Sequence, residues 1–287
     1  MPDSSIMEHK VHLPGRGTTF VREVKGPRHA PVLLLVHGWV ASSEVNWFPV
    51  LEELGKRYRV IAMDLRGHGR GIRPQGGFQT TPFSLEDCAD DLSALLRQYR
   101  IPKAHVVGYS MGGPVAQLLW KRHPEQVAGL VLASTAAEFS QARPLRDVVS
   151  QAARMYARMP LTRAVTKTSM KSLGFLRHVP VVNKVSDVVL HDPLALTQAA
   201  DAIAHFSSKS WIPRIDVPVS VVRTTRDTLA LPCDQRWLVE HIPGARDHVV
   251  TSPHGHFAFL TDPSKFWPVL VRACDSVVAR AGNMLTA

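Results

Sequence analysis

The stretch Val106-Val107-Gly108-Tyr109-Ser110-Met111-Gly112-Gly113 decides the fold. The apolar run from Ala104 to Val107 reads as a short buried strand, and a helical pattern runs from Pro114 to Arg122. Between them stands Gly108-x-Ser110-x-Gly112. A serine at the tip of so sharp a turn must take a strained backbone conformation. Small residues two positions either side let strand and helix pack closely around it. Strand, Gly-x-Ser-x-Gly and helix together form a nucleophile elbow, which projects the Ser110 hydroxyl from the top of a sheet. The helix that starts just after it offers unpaired N–H groups and a positive dipole end to a developing anion.

Outward from the elbow the chain alternates. Pro31 to Val36 is a continuous apolar run, as a strand buried on both faces requires, and it ends in His37-Gly38-Trp39. A helix is expected over Trp47 to Lys56, then a buried strand over Arg59 to Met63 that ends in Asp64-Leu65-Arg66-Gly67-His68-Gly69. Ser84 is a good N-cap for the next helix, whose apolar stripe is Leu85, Cys88, Ala89, Leu92, Leu95 and Leu96. Val127 to Ala133 is the strand that follows the elbow helix. The opening residues form an antiparallel hairpin, Val11 to Leu13 and Thr18 to Lys25, joined by Pro14-Gly15-Arg16-Gly17. This order predicts an α/β fold with a doubly wound, mostly parallel sheet.

The alternation stops after residue 135 and resumes at Val217 to Val222. A helix over Pro232 to Glu240, a strand near Asp247 to Thr251 and a last helix from Pro263 to Ala281 complete the chain. The expected organisation is a core made of residues 1–135 and 215–287 with an inserted helical cap at 136–214.

Composition narrows the class. At 287 residues with 45% hydrophobic content, the chain supports one large domain with a full core. Cys88, Cys233 and Cys274 are far apart and odd in number, fit no zinc spacing and no disulfide framework, and point to a reducing compartment. The first residues hold no apolar core of about seven, so no secretory signal is read, and no run approaches the roughly 18 apolar residues of a membrane span. The expected location is the cytoplasm, with peripheral membrane attachment left open. The net charge of +10 favours an anionic partner. No nucleic-acid motif accompanies it.

A serine hydroxyl needs a base, and the base an orienting acid. Asp227 follows the strand Val217 to Val222 and is the candidate acid. Asp234 sits past Pro232 and begins a helix, and Asp216 lies at the wrong end of the strand. His256, in Gly255-His256-Phe257 after the final strand, is the candidate base, with His254 as its neighbour. His37 and His68 are read as loop supports. The oxyanion of acyl attack needs two N–H donors: the backbone of Met111 supplies one and the loop after His37-Gly38, at Trp39, the other. Loss of one such donor costs ~3 kcal/mol of transition-state stabilisation.

Taken together these residues resemble the α/β-hydrolase fold, in its serine-nucleophile, esterase- and lipase-like branch. His37-Gly38-Trp39, Asp64-x-x-Gly67-His68-Gly69, Gly108-Tyr109-Ser110-Met111-Gly112-Gly113, Asp227 and Gly255-His256-Phe257 stand in the family's order and spacing. The resemblance covers residues 31–135 and 217–280. It implies a Ser-His-Asp hydrolase of carboxylic esters or thioesters, with a lipid-like or other hydrophobic acyl chain, that needs no metal or organic cofactor. Dehalogenases and epoxide hydrolases of the fold carry aspartate where Ser110 stands, which sets them aside. Ring-cleavage C–C bond hydrolases usually have Asn where Tyr109 sits, and haloperoxidase-like perhydrolases share the His-Gly-Trp and Ser-x-Gly-Gly patterns. Both remain alternatives on the same triad. A non-catalytic ligand receptor of the same fold is the alternative of another class, and it would need no proton relay.

The cap should select the substrate. Residues 136–215 hold eleven Lys or Arg against five Asp or Glu, a net of +6. Leu145, Val148, Val149, Ala152, Tyr156 and Met159 share a helical face, with Arg146, Arg154 and Arg158 elsewhere. One reading packs that apolar face on the core. The other makes the segment a lid for anionic lipid, or a cationic entrance for acidic substrates such as phospholipids or acyl-CoA.

Overall fold

Strands covered by helices on both faces need no polar side, and the continuous apolar runs here build the centre of one sheet. The computed structural model describes residues 6–73, 83–157 and 191–284. Its strands are β1 (Met7–Leu13), β2 (Gly17–Val24), β3 (Val32–Val36), β4 (Arg59–Met63), β5 (Ala104–Tyr109), β6 (Val127–Ala133), β7 (Val219–Thr224) and β8 (Arg246–Val250). They lie in the order β1-β2-β4-β3-β5-β6-β7-β8. β1 and β2 pair antiparallel with each other, and β2 pairs antiparallel with β4. All later pairings are parallel, with Leu35 beside Val107 and Val107 beside Val131 at the centre.

The helices are α1 (Ser43–Gly55), α2 (Leu85–Gln98), α3 (Gly112–Arg122), α4 (Arg146–Ala157), α5 (Pro193–His205), α6 (Pro232–His241), α7 (Ala258–Thr261) and α8 (Pro263–Met284). Period-two alternation sends successive strand residues to opposite faces. Leu34, Ile61, Val106 and Leu130 pack with α2 and α3, whereas Leu33, Leu35, Val60, Val107 and Val131 pack with α1 and α8. Each fully buried side chain of this kind contributes about 1.5–3 kcal/mol relative to exposure. The Ser84 cap holds as expected: its hydroxyl accepts the Asp87 N–H at 2.9 Å.

Several boundaries differ from the sequence reading, β1 for instance beginning at Met7 rather than Val11, and two of the differences have a local cause. α1 begins at Ser43, four residues before Trp47, because Ser42 caps it by accepting the Val45 N–H at 3.2 Å. Its polar first turn hides the helix from a search for apolar spacing. β7 begins at Val219 rather than Val217, since Pro218 has no N–H to give to a ladder.

Between β6 and β7 the described residues hold α4, α5 and short 3₁₀ turns, and no strand among them. The Ser150 hydroxyl on α4 donates to Asp201 on α5. Residues 158–190 of the expected cap, with Arg158, Met159, Arg163, Lys167, Lys171, Arg177 and Lys184, lie outside the described residues. On α4, Val148 is 65% exposed, not packed on the core. Among the described residues no helix is long and apolar enough to cross a membrane.

Candidate active site

β5 ends by delivering Ser110 at φ +51°, left-handed backbone that only a strongly determined turn forces on a serine. The determination comes from packing. A Cβ on Gly108 would stand 2.3 Å from the Gly112 carbonyl oxygen, and one on Gly112 would stand 2.2 Å from that of Val36. The Ser110 N–H donates to the Ala133 carbonyl at 3.0 Å, and its own carbonyl accepts from the Thr135 hydroxyl at 2.7 Å. The side chain is therefore held at the C-terminal edge of the sheet, over the first turn of α3.

The structure brings Asp227 and His256 to this serine. His256 Nε2 lies 2.9 Å from Ser110 Oγ, and His256 Nδ1 lies 2.8 Å from Asp227 Oδ2. A carboxylate can only accept, so Nδ1 carries the proton and Nε2 is left as the acceptor for the serine hydroxyl. Asp227 and His256 are buried, while Ser110 is half-buried and open to an incoming group. His254 is exposed and stands outside the group. Asp234 is occupied elsewhere, accepting from the Ser140 N–H and hydroxyl at 3.0 and 2.7 Å. Asp216 accepts from the Trp120 indole at 3.0 Å.

The carboxylate is fixed by more than the histidine. The N–H groups of Leu229 and Ala230 reach Asp227 Oδ1 at 2.9 and 2.8 Å. The Thr224 hydroxyl and the Gln235 amide reach Oδ2 at 2.8 and 3.1 Å. Sequence reading missed Thr224 and Gln235. Thr224 stands at the end of β7, three residues before the acid, and that proximity is the signal that could have marked it.

The loop after β3 passes directly over the serine: a Cβ on Gly38 would stand 3.2 Å from Ser110 Cβ. The Gly38 N–H is taken by Asn46 Oδ1 at 2.8 Å. The main-chain N–H groups of Trp39 and Met111 have no acceptor among the described residues. The Trp39 indole N–H donates to the Leu196 carbonyl on α5 at 3.0 Å, which ties this loop to the inserted segment. His37 supports the loop, as expected. Its Nε2 accepts the Leu65 N–H at 2.9 Å, which leaves Nδ1 to donate to the Gly38 carbonyl at 2.8 Å. His68 is buried beside it and donates Nδ1–H to the Arg66 carbonyl at 3.0 Å. Burial pushes the His68 imidazole well down, so it stays neutral.

Four exposed apolar side chains rise from the loops that carry these residues: Trp39, Val40, Leu229 and Phe257. Among the described residues no His, Cys, Asp and Glu cluster is arranged to hold a metal ion.

Comparison with known proteins extends this picture. A model of the alpha/beta hydrolase fold matches residues 31–263. A 3-oxoadipate enol-lactonase 2 from Acinetobacter baylyi is 28% identical over 210 residues, covering 72% of this chain and 76% of that protein. A pimeloyl-[acyl-carrier protein] methyl ester esterase from Neisseria meningitidis is 30% identical over 240 residues, covering 81% and 89%. The crystal structure of the enol-lactonase from Burkholderia xenovorans superposes with a TM-score of 0.70 at 25% identity, covering 93% of this chain and all of that one.

Proposed function

The chain belongs to the alpha/beta hydrolase fold family, and from that premise we propose that it is a serine hydrolase that cleaves carboxylic esters through an acyl-enzyme. The observation that carries the reading is the continuous relay from Asp227 through His256 to Ser110, at 2.8 and 2.9 Å. The relatives named above support the bond class, since a lactone and a methyl ester are both carboxylic esters.

Ser110 Oγ attacks the ester carbonyl while His256 Nε2 takes its proton. Asp227 holds the imidazole in the required tautomer and balances its charge. The N–H groups of Met111 and Trp39 receive the oxyanion, and the positive end of α3 adds to them. His256 then protonates the leaving alcohol. A water, deprotonated in turn by His256, releases the acid and restores the serine. No metal or organic cofactor enters these steps.

The acyl group is hydrophobic in this reading, because the loops that carry the proposed oxyanion donor, acid and base expose the apolar side chains of Trp39, Val40, Leu229 and Phe257. The inserted segment, residues 136–214, acts as the cap that selects it. α4 turns Val148, Arg154 and Met155 to solvent, a mixed apolar and basic surface suited to anionic lipid. Binding to anionic but not neutral vesicles, weakened by salt, is the expected outcome, and equal binding to both would sink that part. Two of the three cysteines are buried and all are free, which suits a reducing cytoplasm.

The test is hydrolysis of p-nitrophenyl esters from acetate to palmitate by the wild type and by Ser110→Ala. Turnover that vanishes in the variant supports the serine esterase, and the chain-length optimum measures the acyl pocket. A folded wild type inactive on the whole series overturns the esterase reading. It would direct attention to peroxide-dependent and C–C cleavage.

A further inference from the structure

Two of the ties on His256 come from the acid loop. Asp227 holds Nδ1, and Gly255 rests against the Arg226 main chain. Neither refers the imidazole to the serine it serves. A third tie does. The Tyr109 hydroxyl donates to the His256 carbonyl, and Tyr109 is the residue directly before Ser110.

We infer that Tyr109 is a positioning residue: its hydroxyl locks the main chain of His256 to the strand end that carries Ser110. The inference rests on Ser110 and His256 acting as proposed above. The phenol ring is buried, and its centroid lies 5.3 Å from that of the His256 imidazole. Trp47, Phe259 and Phe266 enclose it, with centroids at 6.5, 4.9 and 6.1 Å. The ring cannot swing away, so its hydroxyl is a fixed point. At the other end Tyr109 is in register with Ala133 of β6, whose carbonyl also receives the Ser110 N–H at 3.0 Å. Nucleophile and base are therefore both referenced to one rigid strand end, one by covalent adjacency and one by a hydrogen bond. Burial, and then the Asp227 carboxylate, push the Tyr109 phenol well up, so it remains a donor.

A ring alone would fill this space, so phenylalanine would serve if packing were the whole role. The hydroxyl is the part that the geometry assigns to the base. Its removal leaves the His256 main chain free to drift by fractions of an ångström, and reacting groups are sensitive on that scale.

The experiment compares wild type, Tyr109→Phe and Tyr58→Phe. Tyr58 also donates a part-buried phenol hydrogen bond, to Asp275, so it controls for loss of such a bond elsewhere. Three readouts are taken: p-nitrophenyl acetate kinetics, the second-order rate of Ser110 labelling by a fluorophosphonate, and the downfield proton of His256 Nδ1, assigned by its loss in His256→Ala. In Tyr109→Phe, kcat and the labelling rate are expected to fall about 10- to 100-fold with KM within about twofold. The Nδ1 proton shifts or broadens. Tyr58→Phe keeps wild-type rates and spectrum. Rates within twofold of wild type and an unmoved proton in Tyr109→Phe overturn the inference. The proton readout does not require the serine to react. A wild type that resists the phosphonate overturns the proposed function, while the spectrum still decides the role of Tyr109.

Discussion

Gly255 lies hard against the main chain of Arg226: a Cβ there would stand 2.1 Å from the Arg226 carbonyl oxygen and 3.0 Å from Asp227 Cα. The contact clamps the loop of the proposed base onto the loop of the proposed acid. It is the reason His256 and Asp227, 29 residues apart, meet at 2.8 Å. Gly255 also sits at φ +50°, which a side chain would strain. Gly255→Ala is therefore expected to lower stability by about 1–3 kcal/mol from the backbone strain alone. It should also cut kcat on the order of 100-fold by parting the two loops. Urea melts and ester kinetics read the two effects separately, and near wild-type kcat would refute the clamp.

Asp227→Asn should be more damaging to turnover than to folding. Every partner of the carboxylate is a donor: two main-chain N–H groups on Oδ1, Thr224 and Gln235 on Oδ2, and His256 Nδ1 within reach of both at 3.0 and 2.8 Å. An amide must therefore point its NH₂ at a donor in either orientation. Facing His256, it forces the proton to Nε2, and the imidazole can no longer accept from Ser110. A fall in kcat of roughly 10⁴ is expected with KM little changed. A loss under tenfold would show that the histidine keeps its tautomer without the acid.

Asn46 reaches the same chemistry from a distance. It holds the Gly38 N–H at 2.8 Å and so sets the path of the loop that brings Trp39 over the serine. If the Trp39 N–H is the oxyanion donor proposed above, Asn46→Ala displaces it without deleting it, so the effect stays below the ~3 kcal/mol of a lost oxyanion donor. A roughly tenfold fall in kcat with unchanged KM is the expected signature, since the donor matters mainly in the transition state. A rise in KM alone would place Asn46 in substrate binding instead.

The elbow and the strands around it were legible because their rules are local. Ala104, Val106 and Val107 are apolar, with His105 the one polar residue among them, and glycines flank Ser110 where backbones must touch. Asp227 and His256 were legible as types in the right chain order, and the structure brings them together with Ser110. Tyr109 was not. Its bond to the His256 carbonyl spans 147 residues and ends on a main-chain atom, which leaves no trace in residue types. Val148 shows another limit. Helical spacing reports that an apolar face exists but not whether anything covers it, and here the side chain is 65% exposed.

Buried neutral histidines should make the fold sensitive to mild acid. Burial alone pushes His105 on β5 down to about 4, and burial with the neighbouring His37 pushes His191 down to about 3. An unfolded histidine titrates near 6.5. Between those values the unfolded chain binds a proton that the folded chain refuses, so stability is level above about 6.5 and is lost as pH falls below it. Each such group contributes a slope of up to ~1.4 kcal/mol per pH unit. His105 isolates one of them, since it lies at the opposite end of β5 from the elbow and its Nδ1 has no hydrogen-bond partner to lose. His105→Val should shift the level of the stability curve through altered packing. It should also flatten the curve by about one proton between pH 6.5 and 4. Urea unfolding at pH 7, 6 and 5 measures both terms, and parallel curves for the variant and the wild type would mean that His105 takes up its proton equally in the folded and unfolded chain.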